Sequence, residues 1–388
     1  MPVPTLLSIL ASTAFVAVIV PAVAVARVPP VAPVAVEGTV LDRRSAWEGG
    51  FIVTRSMVQV NRVMRGTAPD LIEVSVLGGR VGDMAQIVHG RAAMPAGPGV
   101  ALELWPVGPT WKLGNVLVPR AAGDDTTEVV AIGATNYVRA TNKDSDPPCD
   151  GALKYVFWNI ADVHWVLDDA CSRDIADTDA CEAAVKASFQ TWEDVSCSYI
   201  AFPYDGRLAD APLGYESKGT NLNVVKWIET DWPGQPDAQA ITLSTVGCMT
   251  GRQYDADILI NGENSTFTVT PALGAGEVDI QNTVTHEAGH LAGFAHSSDP
   301  ESTMFYTASI DETTKRDLTA DDEQGLCAVY PLGQEPGRRD QGCGCRAAGP
   351  PDGAGALSVG AVLMGWLVFT GLARRRRPVI RPQARLKS

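Results

Sequence analysis

Apolar and polar positions alternate with a period of two through much of the first third of the chain. Runs such as Ile72–Val76 place apolar residues at every second position, and glycine pairs such as Gly49–Gly50 separate one run from the next. This pattern predicts a small all-β domain over residues 27–141, either a sandwich or a barrel. We interpret His89 as a structural or surface residue, since no catalytic grouping accompanies it. The domain fits a propeptide, an interaction module or a spacer equally well.

Both helical and strand-like patterns occur between residues 142 and 333. A polar, proline-containing stretch at Asp144–Pro148 marks the start of this part. Apolar residues at helical spacing predict helices over Cys181–Val195 and Asp279–Ala292. Together with several apolar runs of strand length, these helices predict an α+β domain. The strands are predicted at Tyr155–Ile160, Val163–Leu167, Tyr199–Phe202, Asn223–Trp227, Ala240–Leu243 and Ala256–Ile260.

The N-terminal and C-terminal segments have the composition of targeting signals. Residues 1–26 are predicted to be a secretory signal peptide, because an uncharged apolar run ends there in small residues suited to cleavage. Residues 334–352 are rich in glycine and proline and are predicted to be a linker. Residues 353–377 combine an uncharged stretch long enough to span a bilayer with four arginines, and residues 378–388 form a basic tail. We therefore expect an exported protein that is associated with the cell surface or outer membrane, or is extracellular.

A pair of cysteines precedes the last apolar stretch. Gly342–Cys345, a short linker, one apolar span and the run Arg374–Arg377 resemble the myxobacterial C-terminal sorting signal. The resemblance implies that the tail is processed, and that Cys343 or Cys345 is the point of anchoring or processing. A permanent single-span anchor is the alternative, and either arrangement brings the protein to a membrane surface.

Charge and cysteine content narrow the possible functions. The formal net charge of −14 argues against non-specific nucleic-acid binding, which requires a basic face. None of the eight cysteines forms a C-x-x-C pair, so in an exported chain they are expected to form disulfides. Setting aside Cys343 and Cys345 leaves six cysteines, and we expect Cys149 to belong to one of three disulfides whose pairing stays open.

The helix predicted over Asp279–Ala292 carries the most specific chemical pattern in the chain. His286 and His290 are four residues apart, so a helix places both imidazoles on one face, about 6 Å apart along its axis. Two imidazoles so placed can bind one zinc ion at about 2.0–2.1 Å. Glu287 lies beside them, where it can accept a proton from a zinc-bound water.

The chain must turn after this helix to bring in a third ligand. Gly293 stands at the required position, where a positive φ is expected, and His296 follows the turn. Three histidine nitrogens leave the fourth zinc position open for water, which is the arrangement of a catalytic zinc rather than a structural one. The sequence therefore predicts one catalytic zinc ion.

The segment His286–His296 matches H-E-x-x-H-x-x-G-x-x-H at every fixed position and resembles the metzincin metallopeptidases. The resemblance implies a Met-turn beneath the metal, for which Met304 is the candidate. Tyr306 is similar to the tyrosine that some metzincins place near the metal, where it binds zinc at rest or stabilises the oxyanion.

Three further stretches resemble the matrixin group of metzincins: Asp279–Thr285, Thr250–Asn261 and Leu318–Leu326. The resemblance implies a twisted mixed sheet with helices, in which Thr250–Asn261 is the edge strand of the substrate cleft and a peptide adds to it as a further strand. It also implies a closing C-terminal helix with Thr319 as its N-cap. A second histidine cluster for structural zinc and the autoinhibitory cysteine motif are missing. Calcium is compatible with the family, although no loop here indicates a site.

Together with the export signals, these features predict a secreted or surface-anchored zinc-dependent endopeptidase that acts on proteins or peptides. A zinc-bound water would attack the peptide bond, with Glu287 as the general base. The alternative is a non-catalytic surface binding protein with a vestigial zinc site, whose ligand binding would survive Glu287→Ala. A metzincin that acts on a specialised substrate is a further alternative.

Overall fold

A computed structural model describes most of the chain between the predicted signal peptide and the predicted linker. The signal peptide, nearly all of the linker, the membrane or sorting segment, the basic tail, Cys343 and Cys345 lie outside the described residues. No helix within the described ranges is long and apolar enough to cross a membrane. The described residues are 32–91, 93–117, 137–219, 221–272 and 274–334.

Strands dominate the first half of the described chain, and helices alternate with strands in the second half. The strands are β1 (Val34–Glu48), β2 (Phe51–Arg65), β3 (Leu71–Leu77), β4 (Gly79–Val81), β5 (Met84–Val88), β6 (Gly97–Val107), β7 (Thr110–Val116), β8 (Trp165–Asp168), β9 (Tyr204–Leu208), β10 (Asn223–Ile228), β11 (Ala240–Gly247), β12 (Gln253–Asn261), β13 (Phe267–Thr268) and β14 (Val278–Asp279). The α-helices are α1 (Thr178–Glu193), α2 (Ile280–Leu291) and α3 (Ala320–Val329), and a short 3₁₀ helix spans Thr314–Arg316.

Five of the N-terminal strands close into a small barrel, in the order β1-β2-β3-β7-β6. The pairs are antiparallel except β3 with β7, which pair in parallel and close the barrel. The alternation seen in the sequence fills its interior, because every second side chain of a strand points inward. Val36, Val58, Val74, Leu102 and Leu104 are fully buried there.

A second, seven-stranded mixed sheet has the strand order β4-β5-β11-β12-β10-β8-β9. Strand β10 pairs in parallel with β12 and β8, whereas β11 pairs antiparallel with both β12 and β5. Residues 27–141 therefore contribute to two sheets, because β4 and β5 leave the barrel and extend the second sheet. Mixed strands with helices on one face agree with the α+β fold expected from the sequence.

The main core lies between this sheet and helices α1 and α2. Helix α1 presents Phe189 and Trp192 at helical spacing, and Trp165 of β8 stacks on Phe189 with ring centroids 4.1 Å apart. Strand β12 contributes alternate residues, including Ile258, to the same core. The side-chain N–H of Trp192 donates to the carbonyl of Thr285 at 2.8 Å and so ties α1 to the middle of α2.

The structure corrects two strand predictions in the second domain. The segment Tyr155–Ile160 forms only isolated bridges at Tyr155 and Phe157, and Tyr199–Phe202 forms one at Ala201. Phe157, Trp158, Ile200 and Phe202 from these segments enter the core as irregular chain. An apolar run in the sequence does not by itself distinguish such irregular buried chain from a strand.

The predicted cleft-edge strand is also corrected. Strand β12, which lies within Thr250–Asn261, is an interior strand between β11 and β10. Its residues Asp255–Asn261 are all buried, as expected for a strand covered on both faces. Strand β11 pairs with β12 on the side nearer to the metal-binding residues. Strand β5 pairs with the other, outer edge of β11.

The described chain contains three disulfides, as the cysteine content predicts. Cys149 belongs to one of them, so it is not a free thiol. The pairs are Cys149–Cys248, Cys171–Cys181 and Cys197–Cys327, with sequence separations of 99, 10 and 130 residues.

Candidate metal centre and catalytic site

Helix α2 begins at a buried cap. The carboxylate of Asp279 accepts from the backbone N–H of Asn282 at 2.8 Å, which satisfies one of the free amides of the first turn. The same carboxylate is fully buried and forms an ion pair with Arg316. Removing Arg316 would leave the buried Asp279 carboxylate without its ion pair, so this pair helps to fix where α2 starts.

The end of α2 is set by a glycine. Gly293 adopts φ +101°, the left-handed conformation expected for the turn. A Cβ atom there would lie only 3.1 Å from the carbonyl oxygen of Val156, so a side chain would also require that backbone to shift. The turn returns the chain towards α2 and brings His296 to His286 and His290.

The three histidines of the motif converge on one point. The Nε2 atom of His296 lies 3.2 Å from the Nε2 atoms of both His286 and His290. The Nδ1 atoms of His286 and His290 lie 2.7 and 2.8 Å from the carbonyl oxygens of Thr303 and Phe294. Those carbonyls need an N–H donor at Nδ1, which leaves both Nε2 atoms unprotonated.

A metal ion fits this arrangement better than hydrogen bonds do. His296 can donate one proton to one neighbour, yet two Nε2 lone pairs face it. Nitrogens bound to a tetrahedral zinc at about 2.0–2.1 Å are about 3.3 Å apart, close to the spacing found here. Among the described residues, this histidine triad is the group of side chains that could hold a metal.

The protonation state of the triad also suits a metal. Burial is the main cause that lowers the pKa of His286 to about 3 and that of His296 to about 4. Burial, reinforced by the neighbouring imidazoles, also holds the pKa of His290 well below its usual value. Neutral imidazole is the form that binds zinc, so the triad is ready to bind it at neutral pH.

Glu287 lies in the same cavity and is nearly fully buried. Its carboxylate accepts from the hydroxyl of Thr242 on β11 at 2.5 Å. Burial raises the pKa of Glu287 to about 7, and the Thr242 hydrogen bond opposes part of that rise. A carboxylate with a pKa near neutrality can both accept and return a proton, as a general base requires.

Met304 forms a floor beneath the helix. It is 3% exposed, and a Cβ atom at Gly289 would collide with its sulfur and with Trp192. The carbonyl that holds His286 belongs to Thr303, the residue just before Met304. Gly289 occupies a position that is variable in the motif. In this protein the floor leaves room there only for glycine.

The floor is in turn fixed by α3. The carboxylate of Asp322 accepts from the hydroxyl of Ser302 at 2.7 Å and from the N–H of Thr303 at 3.0 Å. Thr319 caps α3 as predicted, in a reciprocal capping box with Asp322. One buried carboxylate thus connects the start of α3 to the carbonyl that orients His286.

A cavity of about 340 Å³ opens beside the histidines and Glu287. Tyr306 lies in its wall, is 61% exposed and packs against Phe305, so its catalytic role stays a prediction. The other lining residues are His89, Gly90, Gln235, Asp237, Ala238, Gln239, Ala240, Asn282, Thr283, Phe305, Thr307, Ala308 and Lys315.

His89 is the residue of this site that the sequence interpretation missed. It is 7% exposed and stacks on His290 with ring centroids 4.3 Å apart. Its Nε2 atom lies 3.2 Å from the hydroxyl of Ser244, and burial lowers its pKa to about 3. The interpretation of His89 as an isolated residue is therefore wrong in three dimensions. No local motif marks it, because its partners lie more than 150 residues away.

The fifth histidine of the chain, His164, makes its described contacts away from the metal-binding residues. His164 is exposed and pairs with the carboxylate of Asp205 at 2.9 Å. It offers a histidine of ordinary surface character for comparison with His89.

Comparisons with known proteins match the part of the chain that contains this site. Residues 157–331 match the sequence model of the Matrixin family. Metalloendoproteinase 1-MMP of Arabidopsis thaliana is 45% identical over 53 residues, which is 14% of this chain and 14% of that protein. Metalloendoproteinase 2-MMP of the same plant is 36% identical over 76 residues, which is 20% and 19% of the two chains. Neutrophil collagenase of Homo sapiens is 43% identical over 51 residues, which is 13% and 11%.

These alignments span about a fifth or less of each relative. The family match and the short alignments support a matrixin-like metallopeptidase domain within residues 157–331. Matrixins bind zinc, in agreement with the histidine triad found here.

Proposed function

We propose that the protein is a zinc-dependent endopeptidase in which Glu287 is the general base. The observation that supports this most directly is the convergence of three Nε2 atoms beside a buried carboxylate, in a cavity open to solvent. A structural zinc site would be closed by a fourth protein ligand, whereas three ligands leave room for the reacting groups.

His286, His290 and His296 would hold the zinc ion. Bound there, zinc supplies Lewis-acid activation of water and of the scissile carbonyl. Glu287 would take a proton from the attacking water and deliver it to the nitrogen of the leaving amine. Thr242 holds one oxygen of the Glu287 carboxylate, which leaves the other oxygen to face the cavity.

Tyr306 would assist from the wall of the cavity. Its exposed position allows the ring to move towards the substrate, where the phenol O–H can donate to the developing oxyanion. Met304 would act only as an apolar floor that keeps His286 and α2 in place.

The composition of the terminal segments supports an extracellular location for this activity. The signal peptide predicted over residues 1–26 would direct export, and residues 353–377 would anchor or sort the protein at the surface through Cys343 or Cys345. The net charge of −14 suits a soluble extracellular surface.

The test uses the full-length chain, assayed for bound zinc and for cleavage of casein and of a quenched fluorescent peptide. We expect one zinc per chain and cleavage that a chelator abolishes. Glu287→Gln should retain zinc yet lower kcat about 100- to 10,000-fold, because the proton acceptor is lost. Glu301→Gln, on an exposed acid outside the cavity, is the matched control and should keep full activity.

Two outcomes would contradict the proposal. A folded chain without bound zinc would remove its basis. Stoichiometric zinc with equal activity, or equal absence of activity, in the wild type and Glu287→Gln would instead favour the non-catalytic binding protein.

A further inference from the structure

We propose that Lys112 of the barrel is a positioning residue for the catalytic site, because it holds the loop of residues 231–239 that forms part of the cavity wall. This stretch, called the wall loop below, lies between β10 and β11. The inference rests on the proposed peptidase function. It makes the barrel a permanent part of the catalytic unit rather than a spacer.

The wall loop borders the space that receives substrate. Four of its residues line the cavity beside the histidines: Gln235, Asp237, Ala238 and Gln239. The side chain of Gln239 also reaches the opposite wall, where its Nε2 atom lies 3.5 Å from the carbonyl oxygen of Ala308 and its Oε1 atom lies 3.4 Å from the hydroxyl of Thr283. A shift of this loop would therefore change the shape of the cavity without moving a metal-binding residue.

The second half of the wall loop is held from the sheet. Asn261, the last residue of β12, donates from its side-chain amide to the carbonyls of Pro236 at 3.2 Å and Ala238 at 2.7 Å. Its backbone N–H donates to the carbonyl of Gln239 at 2.9 Å. These three bonds leave the first half of the loop to be fixed by other contacts.

Trp232 anchors the first half. It is 3% exposed, and its indole N–H donates to the carbonyl of Gln235 at 2.7 Å. Gly234 lies against the same ring, since a Cβ atom there would be 2.9 Å from three atoms of the indole. The backbone of the loop thus follows the position of the indole, and so does the lining residue Gln235.

The barrel in turn holds Trp232. The ammonium of Lys112 on β7 donates to the carbonyl of Trp232 at 2.9 Å. Phe51 of β2 and Leu77 of β3 pack against the apolar cluster that contains the Trp232 side chain. One cation and two apolar side chains of the barrel therefore fix the residue on which the wall loop depends.

The charges around Trp232 favour this arrangement. Its backbone N–H donates to the carboxylate of Glu263 at 2.6 Å, so both polar groups of its backbone are bound by charged side chains. Burial lowers the pKa of Lys112, and the carboxylates of Glu263 and Asp231 oppose that decrease. Hydrogen bonds with a charged partner are about twice as strong as neutral ones. Loss of the Lys112 ammonium would leave the carbonyl of Trp232 without this donor.

A positioning role and a merely structural role predict different kinetics. A displaced wall loop weakens the binding of substrate before and during the reaction alike, so the apparent KM rises and kcat stays the same. A variant that only unfolds part of the sample lowers the apparent kcat, whereas the folded remainder keeps the original KM.

The first experiment measures peptide hydrolysis and zinc content in the full-length chain and in Lys112→Met, which keeps the apolar stem of the side chain. We expect the KM to rise about ten-fold with kcat and zinc content unchanged, because the charged donor to Trp232 is lost. Lys112→Arg keeps a cation within reach and should restore most of the affinity. Lys186→Met is the matched control, since this exposed lysine of α1 contacts Tyr204 and does not line the cavity.

A second variant tests the route through Trp232. Trp232→Phe removes the indole N–H that binds Gln235, so the KM should again rise. Because the two residues act in series, the double variant with Lys112→Met should exceed the larger single effect by little. A rise equal to the product of the two single effects would overturn this route. An unchanged KM in Lys112→Met, or a fall in kcat alone, would overturn the inference while the peptidase function remained.

A third measurement does not depend on turnover. Amide hydrogen exchange in residues 231–239 should be faster in Lys112→Met than in the wild type, with exchange in α2 unchanged. Equal exchange of the wall loop in the two chains would overturn the inference even if no variant hydrolysed peptides. Absence of hydrolysis in every chain, despite bound zinc, would count against the proposed function instead.

Discussion

The two sides of the cavity are built in different ways. One side is α2 and the turn after it, where His286, Glu287, His290 and His296 come from a single stretch of eleven residues. The other side is β11 with the segment that covers it, and the paired residues Thr245 and Gln86 are separated by 159 positions. The helical side depends on local spacing, whereas the strand side exists only after distant segments have paired.

The largest effect is expected from a change on the helical side. His290→Ala removes a ligand whose position is fixed by the Phe294 carbonyl, and no other described histidine is placed to replace it. We expect zinc to be lost and activity to fall to background, measured by metal analysis and peptide cleavage. His164→Ala should retain both.

Zinc retained at one per chain in His290→Ala would mean that His89 moves in as a substitute ligand. The double variant with His89→Ala would then test this, and the two sides of the cavity would be less separate than their construction indicates.

A long-range cross-link stabilises the strand side. Cys149–Cys248 closes a loop of 99 residues at the end of β11, and its sulfurs pack in the cluster that holds Ile87. Replacing both cysteines with serine should cost about 4–5 kcal/mol in the free energy of unfolding, because the unfolded chain regains that loop entropy. Denaturant unfolding followed by fluorescence measures the change.

The pair Cys171–Cys181 is the matched control for this change. It closes a loop of only 10 residues, so its loss should cost about 3 kcal/mol. An equal loss of stability in the two double variants would show that loop length is not what makes Cys149–Cys248 important.

The contrast between the two sides also explains what the sequence could reveal. The α2 segment was predicted from residue spacing, together with a positive φ at Gly293 and the cap at Thr319. Each of these features depends on neighbours within a few positions, so the printed sequence contains the whole pattern.

The strand side could not be predicted in the same way. His89 has no motif around it, and the matrixin resemblance implies an edge position for Thr250–Asn261 although β12 is an interior strand. Strand order depends on which segments pair across the chain, and apolar alternation carries no information on the partner. The apolar pattern of Tyr155–Ile160 is likewise ambiguous, because Val156, Phe157 and Trp158 enter the core without forming a strand.

A third prediction concerns the floor beneath the helical side. Asp322→Ala would leave the hydroxyl of Ser302 and the N–H of Thr303 without their buried acceptor. We expect a loss of about 2–4 kcal/mol in the free energy of unfolding, with weaker zinc binding because the Thr303 carbonyl no longer orients His286 firmly. Glu323→Ala, which removes an exposed acid of the same first turn of α3, should cost well under half as much. Equal losses in the two variants would reduce Asp322 to an ordinary helix-end charge.

The smallest effect is expected where the strand side touches the catalytic base. Thr242→Val keeps the shape of the side chain and removes only the hydroxyl that binds Glu287. The carboxylate would remain in the cavity but would lose its fixed orientation, so we expect kcat to fall about ten-fold with zinc content unchanged. Thr110→Val, at the start of β7 in the barrel, is the matched control for loss of a threonine hydroxyl. A loss as large as that of Glu287→Gln would mean that β11 contributes to proton transfer itself. An unchanged kcat would mean that burial by α2 alone positions the base.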